Sequence, residues 1–190
     1  MERRLAAIVS ADIVGYSRLI DLDEAGTHNR VMALIEALKA LVTRHGGRIV
    51  KTTGDGALVT FDSVVDAVEC AIEAQRALSD DDADVPPARR LCLRIGVNLG
   101  DIIVDGGDVY GQGVNIAVRL QEVAKSGAVY ISRGAVDQAR GKFLARLQCE
   151  HSLQLDLRFG VATLIVQVDT FSEELLDLRR FIFFGVNCGR

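Results

Sequence analysis

Cysteine is sparse in this chain: Cys70, Cys92, Cys149 and Cys188 are the only four, far apart, with no C-x-x-C pair and no histidine pattern nearby. That excludes a disulfide framework and a cysteine-rich metal site, and leaves small buried groups or free thiols in a reducing compartment. The two prolines both fall in "DDDADVPPARR", a polar stretch that reads as a loop. His28, His45 and His151 stand in no ligand spacing and are expected to be structural or exposed. No apolar run approaches the roughly 20 residues that span a bilayer. The opening "MERRLAAIVSADIVG" meets an acidic residue and a glycine where a secretion signal would stay apolar. A cytoplasmic protein is expected. Positive charge is not in excess either: the formal net charge is −4, which argues against nucleic acid or an anionic membrane as partner. The phosphate-binding pattern G-x-x-x-x-G-K-[ST] is absent, and no serine or cysteine stands in a nucleophile arrangement.

What is present is ordinary globular composition over 190 residues, enough for one domain with or without an appendage. The run "LAAIVSAD" reads as a first strand. Val31, Leu34, Ile35, Leu38, Leu41 and Val42 then follow the three-and-four spacing of a helix face between Asp23 and His45, which "HGG" terminates. A hairpin around Asp55 follows, because "RIV" and "ALVTF" flank an Asp-Gly turn. Ser63 caps a second helix in "SVVDAVECAIEAQRALSD". "LCLRIGVNLGDIIVDGGDVYG" reads as two strands around a turn. A third helix runs from about Gly113 to Lys125, then come a strand in "GAVYISR" and a short helix in "GAVDQARGK". Two βαβ halves with internal hairpins predict an α+β, ferredoxin-like sheet with helices on one face. This unit occupies residues 1–142. The tail, 143–190, offers a candidate hairpin in "LQLDLRFGVATLIVQVDTF" and a short amphipathic helix in "SEELLDLRRFIFF".

Three places hold polar residues that this patterning leaves unexplained. Asp12 ends the first strand directly before the small-residue turn "IVGYS", where a carboxylate and backbone N–H groups can hold a cation and phosphate oxygens. Capping a turn is the plainer role for it. Asp55 sits on its hairpin tip, and becomes a neighbour of Asp12 if the first two strands adjoin. Two such carboxylates repel unless a proton or cation lies between them, and Mg²⁺ takes one or two carboxylates plus water and phosphate oxygens. Asn115 and Arg119, four apart on the third helix, project from one face about 6 Å apart. They are either a solvated surface or a pair that holds a phosphoryl and a sugar oxygen together.

"ADIVGYSRL", "GGRIVKTTGDGALVTF" and "GVNLGDIIVDGGDVYGQGVNIAVRL" together resemble the class III nucleotidyl cyclase catalytic domain, in its bacterial adenylate cyclase form, over roughly residues 5 to 142. The resemblance implies an enzyme that converts ATP to 3′,5′-cyclic AMP and pyrophosphate, in a head-to-tail homodimer with shared sites. It implies two divalent metal ions, Mg²⁺ or Mn²⁺, on Asp12 and Asp55, and triphosphate binding by the backbone of Ile13, Val14, Gly15 and Tyr16. It further implies adenine recognition by Lys51 and Asp108, and transition-state stabilisation by Asn115 and Arg119. On this view Lys51 faces one site of the dimer and Asp55 the other. The pattern departs from many relatives at Asp101, where they carry an arginine that helps hold the triphosphate.

Adenine needs an acceptor for its exocyclic amine and a donor to a ring nitrogen, which Asp108 and Lys51 can supply, so ATP is expected over GTP. A cyclase-like module that binds nucleotide or dimerises with a partner cyclase without turnover is the alternative from a different class.

Overall fold

The computed structural model describes residues 1–81, 85–139, 152–156 and 163–167. Its centre is β1 (Glu2–Ile13), an alternating apolar strand with neighbours on both sides. After β1 come α1 (Tyr16–Leu22), α2 (Glu24–Arg44), β2 (Arg48–Thr52), β3 (Gly56–Phe61) and α3 (Val64–Asp81). A 3-10 turn (Pro87–Arg89) leads to β4 (Leu93–Asp105), β5 (Asp108–Tyr110), α4 (Gln112–Val123), β6 (Ala128–Ser132) and α5 (Arg133–Ala139). Two strands of the tail follow, β7 (Ser152–Asp156) and β8 (Thr163–Gln167).

The eight strands form one sheet in the order β2-β3-β1-β4-β6-β8-β7, with β5 folded back on β4. β1 runs antiparallel to β3, with Asp12 opposite Gly56, and antiparallel to β4, with Asp12 opposite Arg94. β6 is parallel to β4. The candidate hairpin of the tail is present as β7 against β8, and β8 continues the sheet beside β6. The amphipathic helix expected in "SEELLDLRRFIFF" lies outside the described residues, as do Cys149, His151 and Cys188.

Local signals explain the helix boundaries. Asp23 accepts the Gly26 N–H at 2.9 Å as the cap of α2. At its other end the amides of Gly46 and Gly47 return to the Thr43 and Val42 carbonyls, with Gly46 left-handed at φ 68°. Ser63 Oγ accepts the Asp66 N–H at 3.3 Å, as a cap should. α1 is an addition: "YSRLIDL" carries too short an apolar pattern to declare itself in sequence.

Alternation along β1 divides the core. Ala7, Val9 and Ile13 pack with Val31 and Leu34 of α2, Val68 and Ala71 of α3 and Ala135 of α5. Ala6 and Ile8 face the other way, toward Ile102, Val109 and Ala117 of α4. The α+β, ferredoxin-like class is therefore as expected, and three of the main helices share a face. The exception is α4, which covers the opposite one. The cause lies in β4, where Gly96 and Gly100 face α4 and leave room for its backbone to come close. A Cβ on Gly96 would stand 2.2 Å from the Ala117 carbonyl oxygen and 2.5 Å from the Gln121 nitrogen. Buried Asn98 secures the start of the helix by donating to the Gly113 carbonyl at 2.9 Å. Fully buried Ile8, Ile95, Val97 and Ile131 anchor the sheet, each side chain contributing about 1.5–3 kcal/mol of transfer free energy.

Candidate active site

The hairpin tip is built by a short turn. The Thr53 N–H donates to the Gly56 carbonyl at 2.9 Å, and Gly54 adopts φ 77°. Asp55 stands on this tip beside the end of β1, where the Ile13 N–H donates to the Asp55 carbonyl at 3.0 Å. Asp12 and Asp55 become backbone neighbours because β1 pairs with β3, the third strand, and not with β2 as a pairing of the first two strands would have it. Room between the strands is kept by Gly56: a Cβ there would lie 2.9 Å from the Ala11 carbonyl oxygen and 3.6 Å from Asp12 Oδ1.

Asp12 is not unpartnered. Arg94 Nη2 donates to its Oδ2 at 2.5 Å, and Gln121 Nε2 donates to the same oxygen at 3.4 Å. Sequence reasoning missed both partners, since each lies more than 80 positions away. The guanidinium Nε of Arg94 is buried without a hydrogen-bond partner.

The donor set suits a hard cation that completes its shell with water and phosphate. Asp12 and Asp55 stand on adjoining backbone, Asp12 opposite Gly56 in the strand pair, and Asp12 keeps Oδ1 on the Gly56 side.

The backbone of Ile13, Val14, Gly15 and Tyr16 divides into two parts. The Ile13 and Val14 amides are used within the protein, on the carbonyls of Asp55 and Cys92. Gly15 follows at φ 66°, a left-handed conformation that favours glycine, and turns the chain into α1 at Tyr16. The first-turn amides of that helix have no intrahelical acceptor.

In β2, the edge strand of the hairpin that carries Asp55, Lys51 Nζ lies 3.8 Å from Asp108 Oδ1. Asp108 also accepts its neighbour's amide, Val109 N–H, at 2.8 Å. That bond, with the Tyr110 hydroxyl and the Lys51 charge, holds its carboxyl below the usual range. Tyr110, raised in turn by Asp108, was not foreseen as part of this pair.

Asn115 and Arg119 are exposed on α4. Arg119 precedes Gln121 by two residues, a rotation of about 200° around the helix. Gln121 therefore faces the sheet and Asp12, while Arg119 and Asn115 face solvent. Within one chain the structure brings together Asp12 with Asp55 and Lys51 with Asp108, but does not bring Asn115 and Arg119 to the carboxylates. Asp101 stands opposite Leu5, well along the strand pair from Asp12, whereas the guanidinium beside Asp12 belongs to Arg94.

One histidine and one cysteine have plain structural roles. His45 Nε2 pairs with Glu73 Oε2 at 2.7 Å, and Cys70 is buried, its thiol pushed up to about 12 chiefly by desolvation. Among the described residues no helix is long and apolar enough to cross a membrane.

Comparison with known proteins agrees with this geometry. Putative adenylate cyclase 3 of Rhizobium meliloti (strain 1021) is 50% identical over 143 residues, covering 75% of this chain and 24% of that protein. An adenylate cyclase of Streptomyces coelicolor is 33% identical over 73% of this chain and 35% of its own length. The chain thus spans about a quarter to a third of these relatives. Among solved structures, an adenylate/guanylate cyclase/hydrolase from Silicibacter pomeroyi superposes with a TM-score of 0.74 at 32% identity, covering 89% of this chain and 99% of that one. The guanylyl cyclase Cya2, at 23% identity and a TM-score of 0.68, shares the fold. The family model described as the adenylate and guanylate cyclase catalytic domain matches residues 3–167, and the chain belongs to that family.

Proposed function

We propose that this catalytic domain is an adenylate cyclase that closes ATP to 3′,5′-cyclic AMP and pyrophosphate, at sites shared by two copies of the chain. The observation that carries the choice of substrate is the Lys51 and Asp108 pair, 3.8 Å apart and without a core to stabilise. The ammonium can donate to a ring nitrogen of adenine while the carboxylate accepts from its exocyclic amine. Guanine offers the reverse pattern at that edge, a carbonyl where adenine has its amine, and would meet the carboxylate unfavourably.

Asp12 and Asp55 are the residues that would hold divalent metal, Mg²⁺ or Mn²⁺. When bound, such ions supply positive charge beside the ribose 3′-hydroxyl and the phosphates, which favours loss of the hydroxyl proton and in-line attack on the α-phosphorus. The chain's own groups do the rest. Backbone amides at Gly15 and Tyr16 receive terminal phosphate oxygens. Arg94, the guanidinium nearest the carboxylates, can turn its remaining N–H groups to the same phosphates. Arg119 stabilises charge that builds on the phosphoryl oxygens, and Asn115 orients the ribose ring.

The orientation of α4 supports sharing. Its exposed Asn115 and Arg119 face away from the chain's own Asp12, so a second copy in head-to-tail arrangement must present them to the carboxylates. We also place the domain in the cytoplasm, where nucleoside triphosphate is available.

The test is incubation of purified protein with ATP or GTP under Mg²⁺ or Mn²⁺, with products separated by chromatography. Cyclic AMP from ATP in clear excess over cyclic GMP from GTP is expected. Preference for GTP would overturn the base assignment, and absence of any cyclic product under either metal would favour a non-catalytic, partner-binding domain.

A further inference from the structure

Gln121 is a buried amide, 7% exposed, in a helix whose other polar residues point to solvent. Buried amides are almost always hydrogen-bonded, and its donor is directed at Asp12 Oδ2 from 3.4 Å. The backbone beneath it leaves little freedom. Gln121 N would stand 2.5 Å from a Cβ at position 96, which only glycine avoids, and Gly96 is two residues from Arg94. Arg94 holds the same carboxylate oxygen at 2.5 Å. Two donors from two different elements thus converge on Oδ2, while Oδ1 lies toward Gly56.

We propose that Gln121 is a positioning residue for Asp12 of its own chain: together with Arg94 it commits Oδ2 and fixes the carboxylate plane, leaving Oδ1 presented for metal. This rests on the assignment of Asp12 to the metal in the proposed function. It gives α4 two roles in two directions, with Gln121 serving the carboxylates of one site and Asn115 and Arg119 serving the other. Outer-shell hydrogen bonds to metal-binding carboxylates commonly matter by 10- to 100-fold in affinity. The contact here is long and Arg94 remains when Gln121 is lost, so the effect is expected at the lower end of that range.

The first test needs no turnover. Mn²⁺ is titrated by electron paramagnetic resonance into Gln121→Met, which keeps the volume and removes the donor, in the presence of 3′-deoxy-ATP, which lacks the attacking hydroxyl. Mn²⁺ binding about 10-fold weaker than in the unaltered protein is expected. Unchanged affinity in a variant with a native circular dichroism spectrum would overturn the proposal. Should the Met variant not fold, Gln121→Asn retains an amide one methylene too short for Asp12, and the same weakening is expected.

A second test separates positioning from a general effect on α4. Subunit exchange between an Arg119→Ala chain and an Asp55→Ala chain leaves one intact site, with carboxylates from the former and α4 residues from the latter. Gln121→Met added to the Arg119→Ala chain should reduce turnover several-fold more than the same change in the Asp55→Ala chain. Equal losses would overturn the proposal. If the unaltered protein forms no cyclic nucleotide, the cyclase assignment fails, and the Mn²⁺ titration alone still decides the role of Gln121.

Discussion

Lys51 Nζ and Asp108 Oδ1 face each other across 3.8 Å, joining the edge strand β2 to the short return strand β5. The pair is exposed on both sides and too long for a strong ion pair, so its contribution to stability is small. Groups held this way are free to exchange one another for a ligand.

Exchanging donor and acceptor there should exchange the base. Lys51→Glu combined with Asp108→Cys is expected to move the ratio of ATP to GTP turnover toward GTP by about 10-fold or more. One mispaired polar group in a closed site costs about 1–3 kcal/mol. Competition of the two nucleotides in one reaction, read by chromatography, measures the ratio. No change would locate base recognition elsewhere.

Asp55→Ala and Asp12→Asn should each lower turnover by on the order of 1,000-fold, the scale on which loss of preorganised charge stabilisation is felt. The asparagine keeps an oxygen for Arg94 and Gln121, so the fold should survive, as circular dichroism would establish. Near-normal turnover by either variant would remove the metal assignment.

If two copies share the sites as proposed, a counting prediction follows. Asp55→Ala and Arg119→Ala homodimers should both be inactive. After subunit exchange, about half of the dimers are mixed and each has one sound site, which restores roughly a quarter of normal activity. Mixing Asp12→Ala with Asp55→Ala should restore none, since every site then lacks one carboxylate. Recovery in that second mixture, or none in the first despite verified exchange, would mean that each site lies within one chain.

Gly96→Ala should be strongly disruptive, because its methyl would drive into the Ala117 carbonyl and the Gln121 amide. A loss of about 1–3 kcal/mol is expected, at the upper end because the obstructing atoms are backbone. Denaturant titration reads the loss directly, and an unchanged midpoint would mean that α4 is held less closely than its contacts imply.

Stability should also depend on pH through Glu73. Its hydrogen bond with His45, and then the Arg44 guanidinium, hold its carboxyl below the ordinary 4.5. A depressed folded value means that the stabilisation is complete above the unfolded value and disappears as pH falls through the lower, folded one. The contacts are partly exposed, so solvent screening keeps the effect modest. Thermal melts of the native protein and of Glu73→Gln should differ at pH 6 and converge in acid. A constant difference across that range would contradict the assignment.

Much of the fold could be read from sequence because its signals are local. Asp-Gly at 55 and 56, "HGG" at 45 to 47 and Ser63 each act within a few residues of themselves. The nearness of Asp12 to Asp55 was only partly accessible, because it depends on β1 pairing with the second strand of the hairpin and not with the first. The side of the sheet covered by α4 was not. Its apolar stripe of Ala117, Leu120 and Ala124 fits either face, and what decides between them is the missing side chains at Gly96 and Gly100 on another element. Arg94, Gln121 and Asn98 escaped for a related reason. In sequence each is an ordinary polar residue in an apolar segment, and only its distant partner gives it a role.

The seating of α4 in a glycine groove also fixes its rotational phase. One residue inserted between Gly113 and Asn115 would advance the exposed pair by about 100° relative to the anchored start of the helix. A deletion would turn it back by as much. Either change keeps every side chain named above yet aims Asn115 and Arg119 past the facing copy of the proposed dimer. Drift in the length of this segment is therefore more restricted than drift in most of its side chains, and the spacing from Gly96 through Gly113 to Gln121 acts as a ruler for the whole helix.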